Sequence, residues 1–247
     1  MEANVIKNYS LDDNRISNEY LYGSTDWDLL ELNVSLDGER LAAWYKEIYE
    51  EFLFMRFAFN DNPKKLDLEK STELVSKGHC GIYCGPIDGL TLAWPIERYE
   101  PLPPPVQANL EVFPEVNYPT FFDDAKLLNR FRKGYFAEMV DFLGEHSFHQ
   151  AIIATHHDGM YIRPHVDSNV LKLHIPVETH DGSMFHFGPN NERSYHMKLG
   201  KIYLLNTKAW HGTTNEGGKR SHIITRVADS HLPNILRLTN EKVHTTI

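Results

Sequence analysis

The sequence has few cysteines and no excess of positive charge. Cys80 and Cys84 are the only cysteines among 247 residues, too few for a disulfide framework or a four-thiolate zinc site. We expect both to be buried thiols in a reducing compartment. Lysine and arginine total 25 against 34 aspartate and glutamate, a formal net charge of −9. Nonspecific nucleic-acid binding needs a positive field, so we expect no nucleic-acid partner.

The chain also lacks the patterns of secretion and of membrane insertion. It begins MEANVIKNYSLDDNR, which has no basic segment followed by an apolar one. No uncharged apolar run approaches the roughly 18 residues that suggest a membrane span. We therefore expect a soluble, cytoplasmic protein with no membrane partner. The hydrophobic content of 41% is enough for one sizeable core at this length, so we expect a single domain over residues 1–247.

Residues 1–149 are predicted to form a helical and mixed region that supports the rest of the domain. The apolar positions in ERLAAWYKEIYEEFLFMRF recur at helical spacing, which predicts a helix with one buried face. A second helix is predicted over residues 120–143. Asp123 or Asp124 would lie in its first turn, and Gly144 would end it.

A proline-rich segment separates the two predicted helices. The stretch YEPLPPPVQANLEVFPEVNYP, residues 99–119, excludes a helix and disfavours a central strand because proline lacks a backbone N–H donor. We expect a long ordered loop or a lid.

The pattern changes to short β-like runs from about residue 150. The runs are AIIAT, MYIRPHVD, LKLHIPVE, MFHFG, KIYLLNT and SHIITRVAD. Turn signals containing glycine separate them. The pattern predicts an antiparallel sandwich or barrel over about 150–229, with helices from the first half against one face. The predicted fold class is therefore mainly β with flanking helices.

One short motif in this β region indicates a metal site. In RPHVDS, His165 and Asp167 are two positions apart, so their side chains would leave a strand on the same side. A competing triplet, HHD, ends at Asp158, which precedes Gly159 between two β runs. That composition is typical of a hairpin turn, so the first motif is the better candidate.

A third ligand is needed, since a metal that activates dioxygen is typically held by two imidazoles and one carboxylate with open positions opposite. His211 lies 46 residues after His165 and follows the strand-like KIYLLNT. In a double-stranded barrel, that separation returns a later strand beside the first. Arg220 leads into the final strand, where a guanidinium is suited to grip a dicarboxylate. Arg226 is the alternative for this role.

The residues quoted above resemble the Fe(II)/2-oxoglutarate-dependent oxygenases. The segment HVDS…LKLHIPV…HMKLGKIYLLNTKAWHGTTNEGGKRSHIITRV is similar to the aspartyl/asparaginyl β-hydroxylase family, including its bacterial proline hydroxylase relatives. The similarity covers about residues 150–229. It implies a double-stranded β-helix, that is, a jelly-roll or cupin-like core.

The resemblance also implies cofactors and residue roles. His165, Asp167 and His211 match the Fe(II) ligands of the family. Arg220 matches the residue that holds the distal carboxylate of 2-oxoglutarate, and His174 matches a histidine that contacts the other end of this cosubstrate. Dioxygen would be the second cosubstrate. The implied enzyme is a dioxygenase that hydroxylates an unactivated C–H bond.

The substrate class follows from one departure from the family pattern. Animal aspartyl hydroxylases lack the carboxylate ligand, whereas this chain has Asp167. This favours a small-molecule, amino-acid substrate over a protein Asp/Asn or prolyl side chain, and it disfavours halogenation. A cupin-like metal enzyme or a binding module without 2-oxoglutarate remains an alternative. The remaining histidines of this region, including His156 and His222, are predicted to be structural or exposed.

Overall fold

The computed structural model describes residues 1–52, 54–56, 83–84, 87–94, 125–167 and 171–241. The predicted loop or lid at 99–119 lies outside the described residues. So do Cys80 and the side chain of Cys84, and the predictions for these parts stay predictions.

The described residues form four α-helices and fifteen β-strands. The helices are α1 (Asn18–Gly23), α2 (Gly38–Glu51), α3 (Gly134–Leu143) and α4 (Leu232–Glu241). Three short 3-10 helices cover Asn14–Ile16, Asn129–Phe131 and Glu145–Phe148. The strands are β1 (Val5–Ile6), β2 (Leu29–Glu31), β3 (Met55–Arg56), β4 (Tyr83–Cys84), β5 (Ile87–Thr91), β6 (Ala93–Trp94), β7 (Lys126–Leu127), β8 (Ala151–His156), β9 (Met160–His165), β10 (Leu171–Glu178), β11 (Ser183–Phe187), β12 (Arg193–Tyr195), β13 (Tyr203–Asn206), β14 (His211–Asn215) and β15 (Arg220–Val227).

Two sheets contain most of these strands. The major sheet has the order β1-β2-β13-β10-β15-β8-β5-β3, and the minor sheet has the order β12-β11-β14-β9-β4. From β8 to β15 the chain passes back and forth between the two sheets. Every pairing among these strands is antiparallel. This alternation is the double-stranded β-helix, so the predicted fold class is confirmed.

Helix α2 covers the outer face of the major sheet. The Asp37 carboxylate accepts a hydrogen bond from the Arg40 backbone N–H at 3.0 Å and so caps its first turn. Trp44 is buried and stacks on Phe136 of α3, with ring centroids 4.2 Å apart. The Tyr45 hydroxyl lies 3.0 Å from Thr155 Oγ1 on β8. The helical spacing in the sequence therefore identified the buried face correctly.

The second predicted helix begins later than expected. It was expected from residue 120, but α3 begins at Gly134 and is preceded by β7 and a 3-10 turn. Pairing explains the difference, because β7 is antiparallel to β6 and the Leu128 N–H donates to the Leu92 carbonyl at 3.0 Å. Backbone groups satisfied by a neighbouring strand cannot also form a helix. Gly144 ends the helix as predicted, with φ at 83°.

The six predicted strands of the second half all form, and two further strands were missed. His211 was expected just after a strand, but it is the first residue of β14. The sequence of β14, HGTTN, is short and polar, and β12 has only three residues. Neither shows the apolar alternation on which strand prediction depends.

Three apolar clusters lie among the described residues, and the two larger ones fill most of the interior. The larger includes residues from both halves of the chain, from Ile6 through Leu236. The smaller contains Leu29, Phe185, Phe187, Met197, Tyr203 and Leu205, which come from strands of both sheets and from the segment after β12. The second cluster therefore fixes the spacing of the two sheets at one end of the space between them.

Candidate metal centre and adjoining cavity

The two predicted histidine ligands lie on neighbouring strands of the minor sheet. His165 on β9 and His211 on β14 are direct partners in the antiparallel register. Their ring centroids are 4.2 Å apart. The barrel thus brings together two residues that the sequence separates, as the predicted strand return requires.

A local irregularity follows this pair. The register shifts between His211 and Thr213, so the strands are irregular at Gly212. A Cβ atom at Gly212 would lie 2.6 Å from the Ile162 carbonyl oxygen, closer than a side chain can approach. Glycine at this position therefore allows β9 and β14 to approach closely next to His211.

Asp167 completes the group just beyond the end of β9. Its backbone N–H donates to the Thr207 carbonyl at 2.8 Å, which holds the segment against β13. The carboxylate lies 3.7 Å from His165 Nε2 and 3.8 Å from His211 Nε2. The three ligand atoms all lie within 4.8 Å of one another. The structure therefore brings together the three predicted residues, which we call the candidate metal centre.

Both imidazoles are oriented by hydrogen bonds to the backbone. His165 Nδ1 lies 2.8 Å from the Arg163 carbonyl oxygen, and His211 Nδ1 lies 3.0 Å from the Ala209 carbonyl oxygen. A carbonyl only accepts, so each Nδ1 carries the proton. Each Nε2 lone pair is then left to face Asp167, an arrangement typical of metal-binding histidines.

The protonation states at the centre also suit a metal. Burial lowers the pKa of His165, and it lowers the pKa of His211 to about 4. Both are therefore neutral at pH 7, the form that binds metals. Burial alone would raise the pKa of Asp167, but the charge of Lys172 and its hydrogen bond to the carboxylate lower it. Two neutral nitrogens and one carboxylate fit a first-row divalent metal with open coordination positions.

A cavity of about 270 Å³ adjoins the centre between the two sheets. Its walls come from both sheets: Ile87, Ile152, Ala154, His156, Ile162, His165, Lys172, His174, Phe185, Leu205, His211, Gly212, Thr213, Arg220, Ile224 and Arg226. Mixed apolar and convergent polar walls are typical of small-ligand sites.

Arg220 is buried in this cavity, with 2% of its surface exposed. Its guanidinium lies over the Phe185 ring, 4.4 Å from the centroid. Nη1 donates to His156 Nδ1 at 2.9 Å, and two other nitrogens lie 3.2 Å from the His222 ring nitrogens. No ion pair within the described residues includes Arg220. Burial lowers its pKa to about 9, so the group is charged at pH 7.

Three neutral histidines surround this cation. Burial, and then the charge of Arg220, hold the pKa values of His156, His174 and His222 well below the usual range. His174 Nδ1 lies 3.4 Å from His222 Nδ1. His174 Nε2 is buried and has no hydrogen-bond partner among the described residues. The cavity therefore holds a cation and an orphaned polar atom, both of which suit an acidic ligand.

The sequence missed part of this polar environment. His156 and His222 were not assigned to the site, yet both are buried and contact Arg220. Strand alternation could have found His222, because it is two residues from Arg220 on β15. Lys172 was also missed, although it donates to Asp167. Arg226, the alternative to Arg220 in the sequence analysis, also lines the cavity. Both arginines therefore lie on the cavity face of β15.

These features define a class of protein: a double-stranded β-helix with a candidate metal centre of two histidines and one carboxylate beside a cationic cavity. Residues 132–229, about two fifths of the chain, match the aspartyl/asparaginyl β-hydroxylase family. The match covers the candidate metal centre and Arg220. It confirms the resemblance over these residues and the prediction of a hydroxylase-type enzyme. No curated protein sequence matches the chain.

Several solved structures match the chain at low identity and low TM-score. A 2OG-Fe(II) oxygenase family protein from Burkholderia pseudomallei is 13% identical over 78% of this chain and 91% of its own, with a TM-score of 0.33. A Pseudomonas putida prolyl-4-hydroxylase is 12% identical over 75% and 97%, with a TM-score of 0.31. A Trichoplax adhaerens prolyl hydroxylase, in complex with a hypoxia inducible factor peptide, is 10% identical over 80% and 93%, with a TM-score of 0.33. Such distant likenesses do not indicate a substrate.

Among the described residues, the helices are too short or too polar to cross a membrane.

Proposed function

We propose that the chain is an Fe(II)- and 2-oxoglutarate-dependent dioxygenase that hydroxylates an unactivated C–H bond of an amino acid or a similar small molecule. The observation that carries the proposal is Arg220: a buried cation with no carboxylate partner among the described residues, in the cavity that adjoins the candidate metal centre.

A buried, unpaired guanidinium is costly to the fold, since leaving water costs several kcal/mol. Neutral imidazoles of His156 and His222 satisfy part of its hydrogen bonding but none of its charge. An anionic ligand would supply that charge. The planar fork of an arginine fits a carboxylate through two parallel hydrogen bonds, which supports an organic acid in this position.

The candidate metal centre supplies the other half of the proposal. His165, Asp167 and His211 would hold Fe(II), and the metal when bound would supply the oxygen-activating chemistry. Two backbone carbonyls fix the imidazoles, and Lys172 pairs with the carboxylate. The protein thus orients a three-ligand face and leaves the opposite side for ligands.

The orphaned polar atoms of the cavity suit the remaining parts of a dicarboxylate. His174 Nε2 and Thr213 Oγ1 are both buried without partners among the described residues and line the cavity. A ligand with oxygens at both ends would satisfy such groups, which otherwise cost about 1–3 kcal/mol each. In the overall reaction, one oxygen atom of O₂ enters succinate and the other enters the substrate, while carbon dioxide leaves 2-oxoglutarate.

The amino-acid substrate is the finer part of the proposal. The presence of Asp167 separates the chain from the animal protein hydroxylases of the resembling family. The cavity volume of about 270 Å³ is near the lower end of the range for small-molecule sites. We infer a single oxygenase domain over 1–247, in which the first 149 residues support the metal-binding half.

A peptide side chain is the second candidate substrate. Val166 and Trp210 each adjoin a ligand in sequence and are unusually exposed for large apolar residues, at 48% and 45%. Exposed apolar groups beside a site are typical of a surface that contacts a partner. They would suit an extended peptide better than a free amino acid.

The test is succinate formation from 2-oxoglutarate in the presence of Fe(II). Each proteinogenic amino acid is supplied free, then with acetylated and amidated ends, and hydroxylated product is measured by mass spectrometry. We expect succinate and product in equal amounts with a free amino acid. Product only with blocked residues would support the peptide candidate. Absence of 2-oxoglutarate binding would reject the proposal.

A further inference from the structure

A second group of metal-ligating side chains lies outside the candidate metal centre. His146 and His149 belong to the 3-10 turn before β8 and the residue after it, and His231 immediately precedes α4. One ring nitrogen from each lies within 4.8 Å of the others. We call this group the histidine cluster. None of its members lines the cavity described above.

The major sheet separates the histidine cluster from the cavity. Ile224 and Arg226 on β15 line the cavity, and side chains alternate along a strand. Thr225 therefore points to the opposite face, where its hydroxyl donates to the Ser147 carbonyl at 2.8 Å. The turn that carries His146 thus packs on the outer face of the major sheet.

The three imidazoles lie close together, although neither hydrogen bonds nor ion pairs to other described side chains hold them there. His146 stacks on His231, with ring centroids 5.1 Å apart and planes 8° apart, and it lies 6.0 Å from His149. Among the described residues, none of the three rings forms a side-chain hydrogen bond or an ion pair. Burial, and then the charges of His146 and His231, lower the pKa of His149. Protonation of the His149 ring is therefore disfavoured.

We propose that the histidine cluster binds a second divalent ion of the zinc class, independently of the candidate metal centre. Imidazole nitrogens are donors that Zn²⁺, Cu²⁺ and Ni²⁺ prefer, whereas Ca²⁺ and Mg²⁺ need oxygen ligands. Tetrahedral Zn–N bonds would place ligand nitrogens about 3.3 Å apart. The ligand nitrogens lie within 4.8 Å of one another, so metal binding requires the side chains to rotate toward a shared ion.

The exposure of the cluster gives the ion an entry path and a fourth ligand. His146 is exposed, while His149 and His231 are half-buried. Water would complete a tetrahedral site on the open side. The bound ion would tie the segment before β8 to the segment after β15, so that it would hold the start of α4 against the major sheet.

The test uses tag-free protein in which His165→Ala and His211→Ala remove the candidate metal centre. Zn²⁺ is titrated by calorimetry, and Cu²⁺ is added separately for electron paramagnetic resonance. We expect one ion per chain and a hyperfine pattern from three nitrogens. Adding His146→Ala and His231→Ala should weaken binding about tenfold or more. His196→Ala, a partly buried histidine outside both groups, should leave binding unchanged.

Two outcomes would overturn the proposal: no ion bound when the candidate metal centre is removed, or binding that survives loss of His146 and His231. If the background variant does not fold, the wild-type chain gives the same test, because its two bound ions should fall to one with His146→Ala. The readout is metal stoichiometry, so it does not depend on 2-oxoglutarate turnover.

Discussion

Lys172 donates a hydrogen bond to Oδ2 of Asp167, the acidic member of the candidate metal centre. The ammonium thus neutralises the carboxylate that would bind a metal. The pair stabilises the carboxylate in the absence of metal, and it also sets up a competition, since the lysine and the metal share one anionic partner.

The first prediction follows from this competition. Lys172→Met should strengthen metal binding about tenfold, because about 1.4 kcal/mol of repulsion is removed. Calorimetric titration with Mn²⁺ as a redox-stable substitute measures the change. Lys201→Met, at a lysine near Glu31 and Ser35, is the matched control and should have no effect. Weaker binding in Lys172→Met would mean that the lysine positions the carboxylate rather than competes for it.

Asp167→Ala should abolish turnover and greatly weaken metal binding while leaving the fold intact. The side chain is partly exposed and lies outside the strands, so the core does not depend on it. Circular dichroism and thermal unfolding check the fold, and succinate release checks activity. Normal activity in this variant would reject the assignment of the ligand.

Arg220→Ala should weaken 2-oxoglutarate binding about a hundredfold or more while metal stays bound. Two charge-assisted hydrogen bonds are lost, each worth roughly 1.5–3 kcal/mol. Arg220→Lys should recover part of the affinity. Arg226→Ala is the control because Arg226 lines the same cavity. A large loss in Arg226→Ala with none in Arg220→Ala would exchange their roles.

Gly212→Ala should disturb the candidate metal centre by shifting the backbone of β14. The new Cβ would meet the Ile162 carbonyl oxygen at 2.6 Å, so β14 must move away from β9 and carry His211 with it. We expect about 1–3 kcal/mol of lost stability and weaker metal binding. Gly23→Ala, where a Cβ meets nothing within 4 Å, is the control. Denaturant titration with and without Mn²⁺ measures both effects.

The protein should lose stability as pH falls below about 6.5. His156, His174 and His222 have folded-state pKa values well below the unfolded value, so the unfolded chain takes up protons first. Their full contribution is present above the unfolded pKa and decreases as pH falls, by up to about 1.4 kcal/mol per pH unit for each histidine. Urea unfolding of metal-free protein between pH 8 and 5 measures the slope. In His222→Gln the slope of unfolding free energy against pH should decrease by the contribution of one proton. An unchanged slope would contradict the argument that burial lowers the pKa of His222.

The fold was largely predictable because its second half consists of short apolar runs between glycine turns. Such runs predict strands, and they located six of the eight strands from β8 to β15. The beginning of α3 was wrong because pairing between β7 and β6 is a long-range contact that local spacing does not encode. Strand β14 (HGTTN) contains His211 and no large apolar residue, so its sequence lacks the apolar pattern that predicts a strand.

The proximity of the three candidate metal ligands was predictable, and the surroundings of the candidate metal centre were less so. His165 and Asp167 are two positions apart, which places both side chains on one side of a strand. His211 comes from a later strand that returns beside the first. Strand geometry therefore predicted that these candidate ligands would meet. His156 and Lys172 reach the site only through the pairing of β8 and β10 with β15, which a sequence does not show. The surrounding histidines are neutral because of burial, and burial depends on the complete fold.

The pairing of Arg220 with His156, residues 64 positions apart, has a consequence for synthesis on the ribosome. Contacts between distant positions form slowly because a long loop must close first. Arg220 also begins the last strand of the major sheet to be translated. A nascent chain therefore has its last candidate metal ligand, His211, nine residues before it has the cation of its cavity. The cavity is complete only when β15 pairs with both β10 and β8.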